Sequence, residues 1–119
     1  MIELVDDVPS GVFGLRAGGV VTPEEYRSIV GPALRTWLSD PKPLRVLAIV
    51  DDDFSYADGD WHDASEGVLR RPEWQRLGVV TDNSWLRRMA PVGGMFVPAR
   101  LRTFRRHRLH DAKDWVSRP

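Results

Sequence analysis

A cluster of carboxylates in the middle of the chain, with one histidine among them, has the residue types that could do chemistry. Three consecutive aspartates, Asp51 to Asp53, directly follow an apolar run, and His62 lies within the acidic stretch that continues to Glu66. Carboxylate oxygens suit hard cations such as Mg²⁺ or Ca²⁺, and a histidine beside a carboxylate can transfer protons. A metal-assisted hydrolase centred on Asp52 and His62 is therefore one hypothesis.

The same acidic cluster also has a structural explanation that needs no ligand. Its spacing is not that of an EF-hand loop, and the helix dipole favours acidic side chains near a helix start. The sequence also lacks the glycine-rich phosphate-binding motifs, the G-x-S-x-G nucleophile motif and cysteine. We therefore expect neither a metal nor a cofactor, and we expect that the protein is not an enzyme.

The strands that must position these residues are marked by short apolar segments. Residues 44–50 form a nearly continuous apolar run, which predicts a strand covered on both faces, as in a parallel sheet. Asp51 to Asp53 then fall at its carboxyl end, where open α/β sheets bind their ligands. Residues 2–5 and 12–17 are joined by a turn segment and predict an antiparallel hairpin.

The first helix has an unusually complete start signal. Thr22 is suited to the N-cap, Pro23 to the first helical position, and Glu25 can close a capping box. Apolar residues follow at spacings of three and four up to residue 38, which predicts one buried face. Pro32 lacks the amide for an internal helix bond, so we expect a kink there.

The second half of the chain continues the alternation of helices and strands. We predict helices at 61–69, at 85–89 after a cap formed by Asp82, Asn83 or Ser84, and at 111–116, and strands at 76–81 and 101–104. The resulting order is ββαβαβαβα. It predicts an α/β fold with a mixed, largely parallel sheet of about five strands and helices packed against it. We expect residues 1–119 to form a single domain.

The formal charge is zero, but its distribution along the chain is uneven. Residues 1–66 hold 13 acidic and 5 basic side chains, whereas residues 67–119 hold 4 and 12. The two halves can neutralise each other within one copy, or two copies can associate as a homodimer. We expect the arginines at 100–108 to pair with the acidic half or to solubilise an edge strand, with Phe104 as a candidate stacking group. Nucleic acid is not the partner that we expect.

A run of large apolar side chains recurs at helical spacing near a Gly-Gly pair. Trp85, Met89, Val92 and Phe96 follow one another at four, three and four residues, with Gly93 and Gly94 inside the run. One interpretation is that these side chains belong to the core. The other is that poor helix formers leave an apolar groove open to a ligand or partner.

Several short motifs resemble the SpoIIAA-like family, a STAS/SEC14-type group of small bacterial proteins. The motifs are Val21-Thr-Pro-Glu-Glu-Tyr26, Pro32-Ala-Leu34, Asp51-Asp-Asp-Phe54, Val79-Val-Thr-Asp82 and Trp85-Leu-Arg87. The resemblance spans nearly the whole chain. It implies a compact α/β domain related in shape to STAS anti-sigma-factor antagonists and to lipid-carrying CRAL-TRIO domains.

The STAS antagonists switch through a phosphorylated serine near the start of a helix that follows a central strand. The corresponding region here lacks their Asp-Ser-Ser-Gly type of pattern, and Ser55 is the nearest hydroxyl. A phosphate on Ser55 would be repelled by the three neighbouring aspartates. We therefore do not expect this switch in the protein.

These observations lead to a primary hypothesis of a non-enzymatic, cytoplasmic binding or protein-interaction module. No apolar run reaches the length of a membrane span. We predict a contact surface that joins the carboxyl edge at Asp52 and Phe54 to Trp85, Met89 and Phe96. The alternative is a carrier that encloses a lipid or another small apolar molecule in that segment.

Overall fold

A computed structural model describes residues 1–40, 42–61, 71–88 and 98–119 of the chain. Its strands are, in chain order, β1 (Ile2–Val5), β2 (Phe13–Ala17), β3 (Val20–Val21), β4 (Leu44–Val50), β5 (Ser55–Tyr56), β6 (Trp74–Val80) and β7 (Arg100–Phe104). The helices include α1 (Pro23–Glu25) and α2 (Gly31–Trp37), which are separated by a π-helical turn at Tyr26–Val30, and a C-terminal helix at Leu109–Val116. Residues 84–88 are also helical.

Five strands form the main sheet, in the order β1-β2-β4-β6-β7. The pair β1 and β2 is antiparallel, whereas β2, β4, β6 and β7 run parallel to one another. The predicted hairpin and the predicted mixed, largely parallel sheet are both confirmed. Because the four parallel strands point the same way, their carboxyl ends meet at one edge of the sheet.

The central strand β4 is covered on both faces, as its apolar run predicts. On one face, Leu44 and Val46 belong to a buried cluster that includes Val30 and Leu34 of the first helical segment. On the other face, Leu47 lies in a cluster with Val116 of the C-terminal helix and its neighbours. Two apolar layers therefore hold the sheet between them.

The first helical segment begins as the sequence predicts. The Glu25 backbone N–H donates to Thr22 Oγ1 at 3.1 Å, and the Thr22 N–H donates back to Glu25 Oε1 at 3.3 Å. Pro23 occupies the first turn and is buried. The capping box satisfies two backbone donors that would otherwise lack partners at the helix start.

The interruption expected at Pro32 takes the form of the π-helical turn at Tyr26–Val30, which ends directly before Gly31. The Gly31 N–H donates to the carbonyl of Tyr26, five residues back, instead of the usual four. Pro32 has no N–H to offer Ser28, and its ring would crowd the Ser28 carbonyl in a regular helix. Widening the preceding turn accommodates the proline without ending the helix.

One feature of the fold is absent from the sequence prediction. The strands β3 and β5 pair in parallel as a separate two-stranded sheet. The sequence predicts no strand at residues 55–56, because two residues are too few to show a periodicity. The helix predicted at 61–69 falls mostly on residues 62–70, which lie outside the described residues.

Replacing Leu47 by alanine tests the two-layered core, because this side chain is 0% exposed between β4 and the C-terminal helix. We expect the Leu47→Ala change to lower the free energy of unfolding by about 3 kcal/mol, through lost burial and the cavity left behind. Urea unfolding followed by circular dichroism measures the difference. Leu4→Ala is the matched control, since Leu4 is 45% exposed, and equal losses in the two variants would contradict the layered core.

Candidate functional site

Polar residues lie at the carboxyl edge of the parallel strands, just after the ends of β4, β6 and β7. Asp51 follows β4, Asp82 follows β6 by two residues, and Arg106 follows β7 by two residues. Arg16, near the end of β2, joins them through its side chain. The carboxylate that follows the buried strand therefore lies where the sequence places it, and basic groups accompany it.

Asp51 is the centre of an ionic cluster at this edge. Arg16 Nε donates to Asp51 Oδ1 at 3.1 Å, and Arg16 Nη2 donates to Oδ2 at 3.2 Å. Arg106 Nη1 lies 3.7 Å from the same Oδ1. The Asp51 side chain is only 19% exposed, and a Cβ on Gly18 would approach its Oδ2 to 2.6 Å. Asp51 therefore serves as a fixed structural contact between β2, β4 and the segment after β7.

The segment after β6 starts its helix with the cap that the sequence offers. The backbone N–H groups of Trp85 and Leu86 donate to Asn83 Oδ1 at 3.0 and 3.2 Å. Of the three candidate caps, Asn83 is thus the one used. Asp82 instead accepts a hydrogen bond from the Arg106 backbone N–H at 2.9 Å, which links the ends of β6 and β7.

The loop after Asp51 is held in place by hydrogen bonds to Gly19 and to Val21 of β3. The Gly19 N–H donates to Asp53 Oδ1 at 3.0 Å, and the Ser55 N–H donates to the Gly19 carbonyl at 2.9 Å. The Ala57 N–H donates to the Val21 carbonyl at 2.8 Å. These contacts fix the positions of Phe54 and of the residues that follow it.

An open apolar pocket of about 470 Å³ lies beside this loop, and its exposed lining is wholly apolar. The lining residues are Ile2, Leu15, Ala17, Val21, Tyr26, Val50, Phe54, Tyr56 and Trp61. The main sheet contributes its floor through β1, β2 and β4, and the small sheet of β3 and β5 contributes a wall. The volume is within the range of about 300 to 1,000 Å³ that is common for small-molecule sites.

Three aromatic rings form one side of the pocket. The Trp61 ring lies edge-to-face against Tyr26 at 6.3 Å and against Tyr56 at 6.4 Å between ring centroids. Trp61 Nε1 donates to the Ala57 carbonyl at 2.7 Å, so the indole is anchored by a polar contact. A Cβ on Gly59 would come within 2.7 Å of Pro23 Cγ, and this close approach requires glycine in the loop that leads to Trp61.

Burial raises the pKa of the Tyr26 phenol above its usual value of 10.0. The cause is desolvation, which disfavours the charged phenolate. Tyr26 therefore behaves as a neutral aromatic wall of the pocket at physiological pH. It offers neither an anion for a metal nor a base for proton abstraction.

The structure describes three of the five residues of the predicted contact surface. Asp52 is exposed, Phe54 is half-buried and lines the pocket, and Trp85 is 53% exposed on the helical residues 84–88. Trp85 is not among the pocket's lining residues. Met89 and Phe96 lie outside the described residues, as does His62 of the hydrolase hypothesis.

Most of the pocket was not foreseen from the sequence. The helical spacing places Tyr26 on the buried face of the first helix, and no local pattern indicates the contributions of Ile2, Leu15 and Tyr56. One local signal for this part of the pocket is present in the sequence. Two valines, Val20 and Val21, follow Gly18 and Gly19 and form the separate strand β3 after β2. Its partner Ser55–Tyr56 is more than thirty residues further along the chain, so local pattern alone does not reveal the pairing.

Within residues 1–40, 42–61, 71–88 and 98–119, no three acidic or histidine side chains are grouped as metal ligands. None of the helices in those ranges is both long enough and apolar enough to cross a bilayer.

The fold and the edge site together define a mixed α/β protein with a largely parallel, five-stranded sheet. Residues 12–117 match the model of the SpoIIAA-like family, and the chain belongs to this family. The resemblance noted in the sequence motifs is thereby confirmed.

One similar solved structure supports the same fold. It is an uncharacterised protein from the DUF3478 family of Shewanella loihica PV-4, described as having a SpoIIAA-like fold. It superposes with a TM-score of 0.74 at 21% sequence identity, over 97% of this chain and 93% of that chain. At this identity the likeness shows the fold alone. No functionally curated protein matches the chain.

The structural role of Asp51 is tested by removing its charge without changing its size. We expect Asp51→Asn to lower the free energy of unfolding by about 2 kcal/mol, because Arg16 loses its charged acceptor. Asp52→Asn is a matched control, since Asp52 is adjacent and exposed, and we expect a change below about 0.5 kcal/mol. Denaturant unfolding of both variants decides the point, and equal effects would contradict the assignment.

The raised pKa of Tyr26 predicts a loss of stability at high pH. Above about pH 10 the unfolded state releases the Tyr26 proton before the folded state does, so the free energy of unfolding falls as pH rises. We expect Tyr26→Phe to reduce this fall. Tyr56→Phe is the control, because Tyr56 is 60% exposed. Urea unfolding between about pH 9 and pH 11 measures the slopes, and an unchanged slope in Tyr26→Phe would contradict the prediction.

Proposed function

We propose that the protein is a non-enzymatic interaction module whose edge pocket receives a large apolar side chain of a protein partner. The observation that carries the proposal is the pocket of about 470 Å³ with its wholly apolar exposed lining. Small-molecule sites usually combine apolar walls with a few polar groups that fix the orientation of the ligand. An apolar hot-spot side chain needs no such groups, because the partner's backbone and neighbouring residues supply the orientation.

The rim of the pocket defines the chemistry of the partner further. Asp52, Asp53, Asp58 and Asp60 are exposed in the loop that carries Phe54, Tyr56 and Trp61. Four carboxylates beside an apolar cavity favour a partner with basic residues next to its apolar anchor. The partner segment is therefore an apolar side chain flanked by lysine or arginine.

A binding role also agrees with the chemistry of the residues around the pocket. Asp51 is held by Arg16 as a structural ion pair, and burial raises the pKa of the Tyr26 phenol further above the physiological range. The side chains that line the pocket interact with a partner through surface area, not through proton transfer or nucleophilic attack.

A second candidate, a carrier of a small apolar molecule, is favoured by the same volume and lining. It differs from the interaction module in what the purified protein contains. Native mass spectrometry of freshly purified protein shows an added small-molecule mass if the pocket carries a cargo. The interaction module shows the protein mass alone.

Synthetic peptides test the proposed function directly. We expect a peptide with one leucine or tryptophan between arginines to bind, and we expect binding to be lost when the anchor is alanine or when glutamates replace the arginines. Fluorescence anisotropy of labelled peptides measures the affinities. Equal binding of all three peptides would contradict the proposal.

Protein variants locate the peptide on the surface. We expect Tyr56→Ala to weaken binding at least about tenfold, because truncation of an aromatic hot-spot contact costs about 2 kcal/mol or more. Asp52→Lys should weaken binding through repulsion of the basic flanks. Asp40→Lys is the matched control, because Asp40 is exposed and follows α2, away from the pocket loop. Equal weakening by the Asp52 and Asp40 changes would contradict the proposed rim.

A further inference from the structure

We propose a second binding site, a basic depression beside β7 that takes the polyphosphate group of a small anionic ligand. The depression has a volume of about 410 Å³. Its charged lining comes from Arg87, Arg102, Arg105, His107 and Arg108, and Thr103 and Phe104 complete it. This site does not depend on the apolar pocket or on its partner.

The electrostatics of the depression are one-sided. Four guanidinium groups and one imidazole surround it, and within the described residues no acidic side chain is part of its lining. Arg106, which is next in sequence to Arg105, instead approaches Asp51. Of the arginines after β7, Arg106 therefore takes part in an internal ion pair, whereas Arg105 and Arg108 line the depression. Asp111 pairs with Arg108, and the remaining arginines leave the depression with a net positive charge, which attracts anions with several charges.

One arginine of the lining has an unsatisfied donor. Arg87 Nε is buried, and it has no hydrogen-bond acceptor in the part of the chain that the structure describes. A buried N–H without an acceptor costs free energy, and an anion bound by the same guanidinium group can offset that cost. Guanidinium groups also match phosphate geometry by donating two parallel hydrogen bonds. Phosphate oxygens are therefore suited to this position.

Two further contacts hold the site in shape. The Arg102 guanidinium lies over the Phe104 ring, 4.9 Å from its centroid. Arg108 Nε donates to Asp111 Oδ2 at 2.9 Å. These contacts restrict the two side chains before any ligand arrives, which lowers the entropy that binding must overcome.

The burial of Phe104 favours a compact anion over a nucleic-acid strand as the ligand of this depression. Proteins that bind single strands stack bases on exposed aromatic rings along an extended basic groove. Phe104 is 4% exposed, and it packs against Trp115 at 5.9 Å between centroids. It therefore offers no stacking surface, and the sequence-based idea that it could stack a base is not supported by its position. A confined depression without such a ring favours a compact polyphosphate group.

Titration calorimetry with inorganic tripolyphosphate at low ionic strength tests the site. We expect saturable binding of one tripolyphosphate per chain, with orthophosphate binding at least about tenfold more weakly, because it makes fewer charge-assisted hydrogen bonds. In ¹H–¹⁵N spectra, the Arg87 Nε–H signal should shift on binding and exchange more slowly with water. Absence of saturable binding, or an unmoved Arg87 signal, would overturn the proposal.

Variants separate this site from general charge attraction. Arg105 is exposed, so Arg105→Gln should keep the fold while weakening tripolyphosphate binding about tenfold, the loss expected for one charge-assisted contact. Arg35→Gln is the matched control, since it removes the same charge from an exposed position on α2. Equal effects of the two changes would overturn the assignment.

A single-stranded oligonucleotide is the comparison ligand. We expect the oligonucleotide to bind no more tightly than tripolyphosphate at the same salt concentration. Markedly tighter binding of the oligonucleotide would overturn the compact ligand in favour of an extended strand. Thermal unfolding of each variant without ligand shows whether a loss of binding comes from a loss of fold.

Discussion

Burial of β4 on both of its faces is the constraint on which the rest of the molecule depends. Leu44 and Leu47 are both 0% exposed, although their side chains point into opposite layers. A strand in that position has no room for polar side chains along most of its length, because a buried charge without a partner is costly. Its charged residues therefore lie at or next to its ends, with Arg45 second in the strand and Asp51 directly after it. The aspartates that follow β4 therefore lie at the carboxyl edge of the sheet.

The buried Arg76 shows what happens when a charge does enter one of these layers. It is 8% exposed on β6, and its guanidinium lies 4.8 Å from the centroid of the Trp115 ring. Burial is the main reason that its pKa is lowered, and repulsion from Arg100, Arg118 and Arg45 adds to it. The flat guanidinium stacks on the indole and directs one N–H at the Trp115 carbonyl, 3.4 Å away. Arginine can pack on an aromatic ring in this way, whereas lysine cannot, because its ammonium group has no flat face.

The sequence predicted well those features that depend on residues close together in the chain. The Thr22 and Glu25 capping box, a helix cap within residues 82–84 and the two-sided burial of residues 44–50 all follow from local residue types and spacing. The π-helical turn was foreseen only as an interruption at Pro32, because sequence shows that a bond is missing but not how the backbone adapts. The β3–β5 pairing joins segments of two residues each, and neither is long enough to show a strand period.

The edge pocket was missed for the same reason, since it is a consequence of that long-range pairing. After Ala17 the chain leaves the main sheet, and β3 pairs with β5 instead of extending β2. The helix then starts at Pro23, and the pocket lining keeps the half-buried side chains of Leu15, Tyr26 and Phe54. Aromatic residues from the β5 segment form a wall beside them but do not close the space. An apolar cavity at the rim is therefore built into the way that the chain passes from β2 to its first helix.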